Sequence, residues 1–308
     1  MAHGHGHGDA DVATSASGRH IGPLTAAFAI TAAFTAVELV VGLATSSLAL
    51  LSDAAHMLTD VIGVGLALTA ILVARRAGTR PTSSQTFGLY RAEVLAALAN
   101  AVLLFGVAGY VLFEAVNRLT DPPAVPGLPV LIAATLGLCA NLASFLLLRK
   151  GSTESLNVRG AYLEVLSDLI GSLGVLLSAA ITLLFGWRHA DPLIGAGIGL
   201  FVLPRTWTLA RRSLRILFQH APERVDVAEL TTALSGLAGV AEVHDLHVWT
   251  LTSGMEVASA HLTICDPGDQ PSILRAAQDL LATRYKIEHA TLQLELAGAS
   301  PACDELSW

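Results

Sequence analysis

Charge is what this chain most lacks: Asp, Glu, Lys and Arg together make up 14% of its 308 residues, against about 25% in an ordinary soluble domain. Almost all of the deficit falls between residues 24 and 210, whereas the stretch after Pro222 has normal soluble composition. Length and this shift together divide the chain in two. Lysine is nearly missing, with only Lys150 and Lys286, and the net charge is -7. That balance excludes nucleic acid as an expected partner. Cysteine is scarce as well. Cys139, Cys265 and Cys303 are scattered with no CxxC pair, which argues for a reduced compartment and against a disulfide framework. No basic segment runs into a short apolar core at the start, so no secretory signal peptide is expected. HExxH and GxSxG are both absent, which leaves an intramembrane hydrolase without its chemistry and argues against an enzyme.

What is present is a set of long apolar runs. A helix needs about 20 largely apolar residues to cross the hydrocarbon core, and six windows qualify: 24–44, 48–74, 92–112, 129–148, 161–185 and 192–209. Thr45, Ser46 and Ser47 alone separate the first two, which predicts a tight helical hairpin. Basic residues gather in cytoplasmic loops. Arg75, Arg76, Arg80 and Arg91 lie between spans two and three, Arg149, Lys150 and Arg159 between four and five, and Arg205, Arg211, Arg212 and Arg215 follow span six. The opposite side holds Arg118 and Arg188. Both termini are therefore expected in the cytoplasm, with the chain multi-pass in the cell (inner) membrane. The expected segments are a His-rich tail over 1–22, a membrane domain over 23–212, a cytoplasmic domain over 213–298 and a tail over 299–308.

An ionisable residue mid-span costs about 2.5–3.5 kcal/mol on insertion scales, so a span that keeps several must recover that cost by pairing or by binding an ion. Span two contains Asp53, His56 and Asp60, and span five contains Glu164 and Asp168. His56 and Asp60 are four apart, as are Glu164 and Asp168, a spacing that stacks both side chains of a pair on one helix face. Two such faces turned together offer one imidazole and three carboxylates to a divalent first-row metal. Polar packing between helices is the bland alternative. Asp53 has two readings, an N-terminal helix charge near the membrane surface or a functional group. Glu38 has two as well, a hydrogen bond to a neighbouring helix or ion passage. Glu93 and Asn100 lie in span three, where Glu93 reads as a surface or loop-orienting residue. Gly63, Gly65, Gly171 and Gly174 read as packing positions.

At the front, His3, His5 and His7 alternate with glycine, a tether that cannot pack a core and binds metal loosely. After Pro222 the periodicity predicts a helix over 225–237, strands over 242–251 and 255–264 joined by Thr252, Ser253 and Gly254, a helix over 272–284 and a strand over 289–297. The order αββαβ suggests helices on one face of a small open sheet. His244, His247, His261 and His289 lie on these strands, His220 in the connector, Asp245 beside His244 and Cys303 in the tail. They are enough for a second metal site, although solvated surface histidines are the alternative and spacing does not say which of them meet.

Four stretches, SLALLSDAAHMLTD at 47–60, FGLYRAE at 87–93, NVRGAYLEVLSDLIGSLG at 157–174 and VHDLHVW at 243–249, resemble the cation diffusion facilitator family. The resemblance implies an α-helical membrane protein with six transmembrane helices and a C-terminal α+β, ferredoxin-like (αββαβ) cytoplasmic domain. It further implies a homodimer in the lipid bilayer that exports divalent metal (Zn2+, with Co2+ and Cd2+) in exchange for protons. Carried over by position, His56, Asp60 and Asp168 match the family's transport ligands. Glu164 stands where many zinc-selective members have histidine, which widens the expected metal range. In the cytoplasmic domain His244 and His261 match best, with His247, His289 and Cys303 as further candidates, and zinc there has a structural or regulatory role. A passive metal channel and a metal-sensing membrane protein are the competing classes. A channel conducts without a pH gradient, which an antiporter needs.

Overall fold

The computed structural model describes residues 21–62, 87, 90–150, 152, 156–252, 254–266 and 269–296. The His-Gly tract, residues 63–74 of the second window with Gly63 and Gly65, the arginines at 75, 76 and 80, Ser253 and Cys303 lie outside the described residues.

The apolar runs fold as helices: α1 (Ile21–Thr45), α2 (48–62), α3 (Arg91–Arg118), α4 (Gly127–Leu148), α5 (Leu156–Phe185) and α6 (Ala190–Leu217). Among the described residues five of them, all but α2, are long and apolar enough to cross a membrane. The shortest has 22 residues, about 33 Å at 1.5 Å per residue, sufficient for a hydrocarbon core of about 30 Å. Backbone chemistry sets the breaks. Pro126, extended at φ -70 and ψ 103, precedes α4. Gly186 takes φ 65 after α5 while its N–H donates to the Thr182 carbonyl at 3.0 Å, the left-handed exit that glycine adopts without strain.

The α1–α2 hairpin is held by a residue from the far end of this bundle. Ser46 sits at φ 55, and Ser47 caps α2 through its Oγ to the Leu50 N–H at 3.2 Å. The Asp191 carboxylate, buried in the first turn of α6, accepts from Ser47 Oγ at 2.5 Å and from the Leu48 N–H at 2.7 Å. It thus satisfies a donor that a buried helix start would otherwise leave unpaired. Gly195 lies against the Leu48 backbone, where a Cβ would come within 3.0 Å of the carbonyl carbon. Asp191→Ala should therefore destabilise the protein by about 1–3 kcal/mol, the desolvation cost of a buried unsatisfied group. A fall in unfolding temperature of the detergent-purified protein checks it, and an unchanged midpoint would show that the contact is dispensable.

Inside the bundle, Ala49 and Leu50 of α2, Val130, Ala133 and Ala134 of α4, Val175 and Ala179 of α5 and Ile198 of α6 form the dry centre. Small residues dominate because helices in lipid associate by close packing rather than by hydrophobic exclusion. Large side chains such as Val40, Leu43, Tyr110, Phe113 and Leu184 face outward.

By compactness the described residues form two units. One takes α1, α2, α3 from Ala99, α4, α5 and α6 as far as Thr208; the other takes the start of α3 and everything from Leu209 onward. In the second unit, α7 (Val227–Ser235), β1 (Val240–Thr252), β2 (Met255–Ile264), α8 (Gln270–Arg284) and β3 (His289–Leu296) follow the αββαβ order. β1 pairs antiparallel with β2 through Thr252↔Met255, and Gly254 takes φ 78 at the turn. β2 pairs parallel with β3, giving the order β1-β2-β3, and α8 makes the crossover that a parallel pair requires. Asp226 caps α7, accepting from the N–H groups of Ala228 at 2.9 Å and Glu229 at 3.1 Å. Leu230 and Leu234 pack with Leu262, Ala277, Leu281 and Ile287 as the core. Within this unit Thr252 donates to Glu93 at 3.1 Å, and the Phe87 ring meets His289 edge-on at 6.1 Å.

Candidate metal centre

His56 and Asp60 lie one turn apart on α2, and Glu164 and Asp168 one turn apart on α5. His56 Nε2 stands 3.5 Å from Asp60 Oδ2 and 3.7 Å from Asp168 Oδ1. One ligand atom from each of these three residues falls within 4.8 Å of the others. Two ligands bonded to zinc at about 2.0–2.1 Å in a tetrahedron stand about 3.4 Å apart, so the spacing already approaches that of a coordinated ion. Asp168 Oδ1 is buried with no hydrogen-bond partner among the described residues. The Thr59 hydroxyl donates to the His56 carbonyl at 2.7 Å, bracing the turn of α2 between His56 and Asp60.

Glu164 is placed differently. Its carboxylate pairs with Arg205 of α6, whose Nη2 also lies 4.0 Å from Asp60 Oδ1. Sequence reasoning assigned Arg205 to the cytoplasmic basic cluster after span six. Instead it lies within α6, at the site, because the helix runs on to Leu217. The signal was available: an arginine inside an apolar window needs a partner.

A second polar group is buried in the same bundle. Asn141 of α4 donates to Ser172 Oγ at 3.0 Å, and Ser172 donates to Asp53 Oδ2 at 3.3 Å. Asp53 is fully buried, so the reading of it as a surface helix charge does not hold. Glu38 is also fully buried, and neither carboxylate oxygen has a hydrogen-bond partner among the described residues. The interhelical hydrogen bond considered for it is therefore not made. Glycines seat both acids. A Cβ on Gly137 would come within 3.0 Å of Glu38 Oε1, and one on Gly171 would collide with Asp53 Oδ1.

In the second unit a bulge decides which histidines meet. His244 pairs with His261 but His247 pairs with Ser259, so β1 spends one residue more than β2 between these positions. Asp245 absorbs the irregularity at φ 50, a left-handed conformation that Asp tolerates better than most residues. Without the bulge, alternation would put His244 and His247 on opposite faces; with it, both share the face of His261. Glu295 bridges the cluster. It lies 3.3 Å from His244 Nε2 and 3.1 Å from His261 Nδ1, and ligand atoms of all three fall within 4.8 Å. Asp245 Oδ2 stands 3.7 Å from His261, and Asp245 Oδ1 stands 2.9 Å from His247. His247 and His289 are outside the three-residue group, and His289 turns instead to Phe87. Glu295 was missed as a ligand candidate, although alternation along β3 puts it on the same face as His289.

Two family models match this chain: the cation efflux transmembrane domain over residues 24–218 and the cytoplasmic domain of cation efflux proteins over 222–297. The chain belongs to the cation efflux, or cation diffusion facilitator, family. It is 46% identical over 281 residues to the metal cation efflux system protein CzcD of Cupriavidus metallidurans, covering 91% of this chain and 88% of that one. The zinc transporter ZitB of Escherichia coli is 41% identical over 271 residues, 87% of this chain and 85% of its own. The cadmium, cobalt and zinc/H(+)-K(+) antiporter of Bacillus subtilis is 36% identical over 277 residues, 88% of each. This cation diffusion facilitator is accordingly a multi-pass cell-membrane transporter that exports divalent metal, and not an enzyme. Residues 222–297, which lie in its second unit, match the family's cytoplasmic domain.

Proposed function

We propose that this cation diffusion facilitator exports zinc, and with it cobalt and cadmium, from the cytoplasm in exchange for protons. The observation that carries the reading is the convergence of His56, Asp60 and Asp168 on one point between α2 and α5. Imidazole together with carboxylates suits zinc and its neighbours, and the names of the relatives in C. metallidurans, E. coli and B. subtilis span the same metals. Each ligand binds metal only in its deprotonated form, so metal and protons compete for one site. A site that takes up protons on the outer side and releases them on meeting metal on the inner side couples the two flows without a second binding centre. Alternating access then needs only that the helices rock around a fixed site.

In this reading six helices cross the bilayer within residues 23–212, with both termini cytoplasmic. Residues 213–298 form a ferredoxin-like domain through which two copies pair, and the flanking segments 1–22 and 299–308 are tails. The match of this domain to the family's cytoplasmic dimerisation model supports pairing. The His244, His261 and Glu295 cluster, with His247 beside it through Asp245, binds a regulatory or structural metal ion; His289 and Cys303 are candidates to complete it from elsewhere in the assembly.

Everted membrane vesicles test the exchange directly. Zinc uptake should require an inside-acid pH gradient and collapse when a protonophore dissipates it. Uptake that persists at full rate without the gradient would make the protein a channel.

A further inference from the structure

We infer that Arg205 is the resident counter-cation of the transport site, and that Glu164 is its partner rather than a standing metal ligand. The inference rests on the reading of His56, Asp60 and Asp168 as the metal site and adds to it the electrical balance. Three residues converge while the fourth acidic group of the cluster is turned to a guanidinium. That guanidinium is always charged, and its Nη2 stands 4.0 Å from Asp60 Oδ1 as well. It therefore touches both the first carboxylate of the metal group and the one outside it.

The backbone around Arg205 is built to hold this side chain against α5. Pro204 precedes it inside a 28-residue helix and has no N–H to give to the carbonyl one turn back. Thr206 donates its hydroxyl to the Val202 carbonyl at 3.1 Å, and Thr208 donates to the Pro204 carbonyl at 2.9 Å. One rung of the helix is missing and two side-chain rungs flank it. Proline and back-bonding threonines of this kind loosen a helix locally, at the turn from which Arg205 reaches Glu164 of α5.

The charges then close. Ligation requires ionised Asp60 and Asp168, and the guanidinium beside Glu164 favours its ionised form, so these three carboxylates carry three negative charges, of which a dication balances two and Arg205 the third. When metal leaves, the guanidinium is the cation that stays. Two single substitutions must therefore act in opposite directions. Arg205→Gln leaves surplus negative charge, so metal binds more tightly and departs more slowly. Glu164→Gln leaves surplus positive charge, so metal binds more weakly. Together they cancel.

The test uses the full chain in lipid nanodiscs, titrated with zinc in a His244→Ala/His261→Ala background that removes the cytoplasmic cluster. Charge pairs at such range couple strongly in a low-dielectric site, so Arg205→Gln should tighten zinc binding about tenfold and Glu164→Gln should weaken it about tenfold. The double variant should return to within about threefold of the parent. Proteoliposomes should show slower zinc release for Arg205→Gln at saturating zinc. A double variant as weak as Glu164→Gln would make Glu164 an obligatory ligand and overturn the inference. Weaker binding by Arg205→Gln, together with a lowered unfolding midpoint, would reduce Arg205 to a structural brace. Asp168→Ala serves as the control. Zinc binding that survives it removes the site itself, a failure distinguishable from that of Arg205 alone.

Discussion

Asp60→Ala and Asp168→Ala should each bring metal-driven proton flux in proteoliposomes to background. Each removes one of three converging ligand atoms, and the neighbouring Glu164 carboxylate is held by Arg205. Removing a group that merely orients a ligand typically costs 10–100-fold in metal affinity or activity, so loss of a ligand itself should exceed about 100-fold. Asp60→Ala also takes away the carboxylate that faces the Arg205 guanidinium across 4.0 Å. Its loss should be accompanied by a shifted unfolding midpoint, whereas Asp168→Ala affects transport with less change in stability. Near-normal flux in both variants would remove the metal site from the α2–α5 interface. The same measurement with cobalt and cadmium in place of zinc gives the selectivity order, and Glu164→His in that series shows whether the carboxylate widens it.

Gly171→Ala and Gly174→Ala, three residues apart on α5, should have opposite effects on stability. Alanine is the better helix former by about 1 kcal/mol, and at Gly174 the new methyl meets only Ile194 and Ile198 at 3.5–3.8 Å, ordinary contact. Gly174→Ala should therefore leave the unfolding temperature unchanged or raise it. At Gly171 the methyl would collide with Asp53, a fully buried acid already held by Ser172. Overpacking of this kind costs about 1–3 kcal/mol, and here it also pushes a carboxylate away from its hydrogen-bond donor. Gly171→Ala should lower the midpoint and impair transport, and Asp53→Ala placed beside it should recover part of the stability. Equal midpoints for the two glycine variants would show that Asp53 can swing clear and that α5 is not closely seated there.

Both expectations start from residues visible in the sequence but differ in what had to be added. The HxxxD and ExxxD spacings put two pairs on helix faces before any coordinates, because a helix repeats every 3.6 residues whatever surrounds it. That His56 and Asp168, more than 100 residues apart, approach to 3.7 Å is a matter of packing. In the cytoplasmic domain the order of helices and strands followed from local periodicity, and all five elements agree with it to within two residues at either end. Periodicity could not reveal the extra residue at Asp245, and a one-residue slip changes which side chains share a face. His247 therefore joined His244 only once the register with β2 was known.

Composition and spacing alone determined that this chain places long apolar helices in a membrane, sets a His/Asp pair and a Glu/Asp pair each one helical turn apart, and carries a small domain with strands after them. Those properties depend on neighbours a few residues away, and local geometry reads them out. The tertiary structure alone decided that Arg205 faces Glu164 rather than the aqueous loop, that Asp53 and Glu38 are sealed inside, and that Glu295 joins two histidines. Each of these brings together groups from separate segments. In a low-dielectric interior, where an unpaired charge is costly, the partner a group meets decides its role.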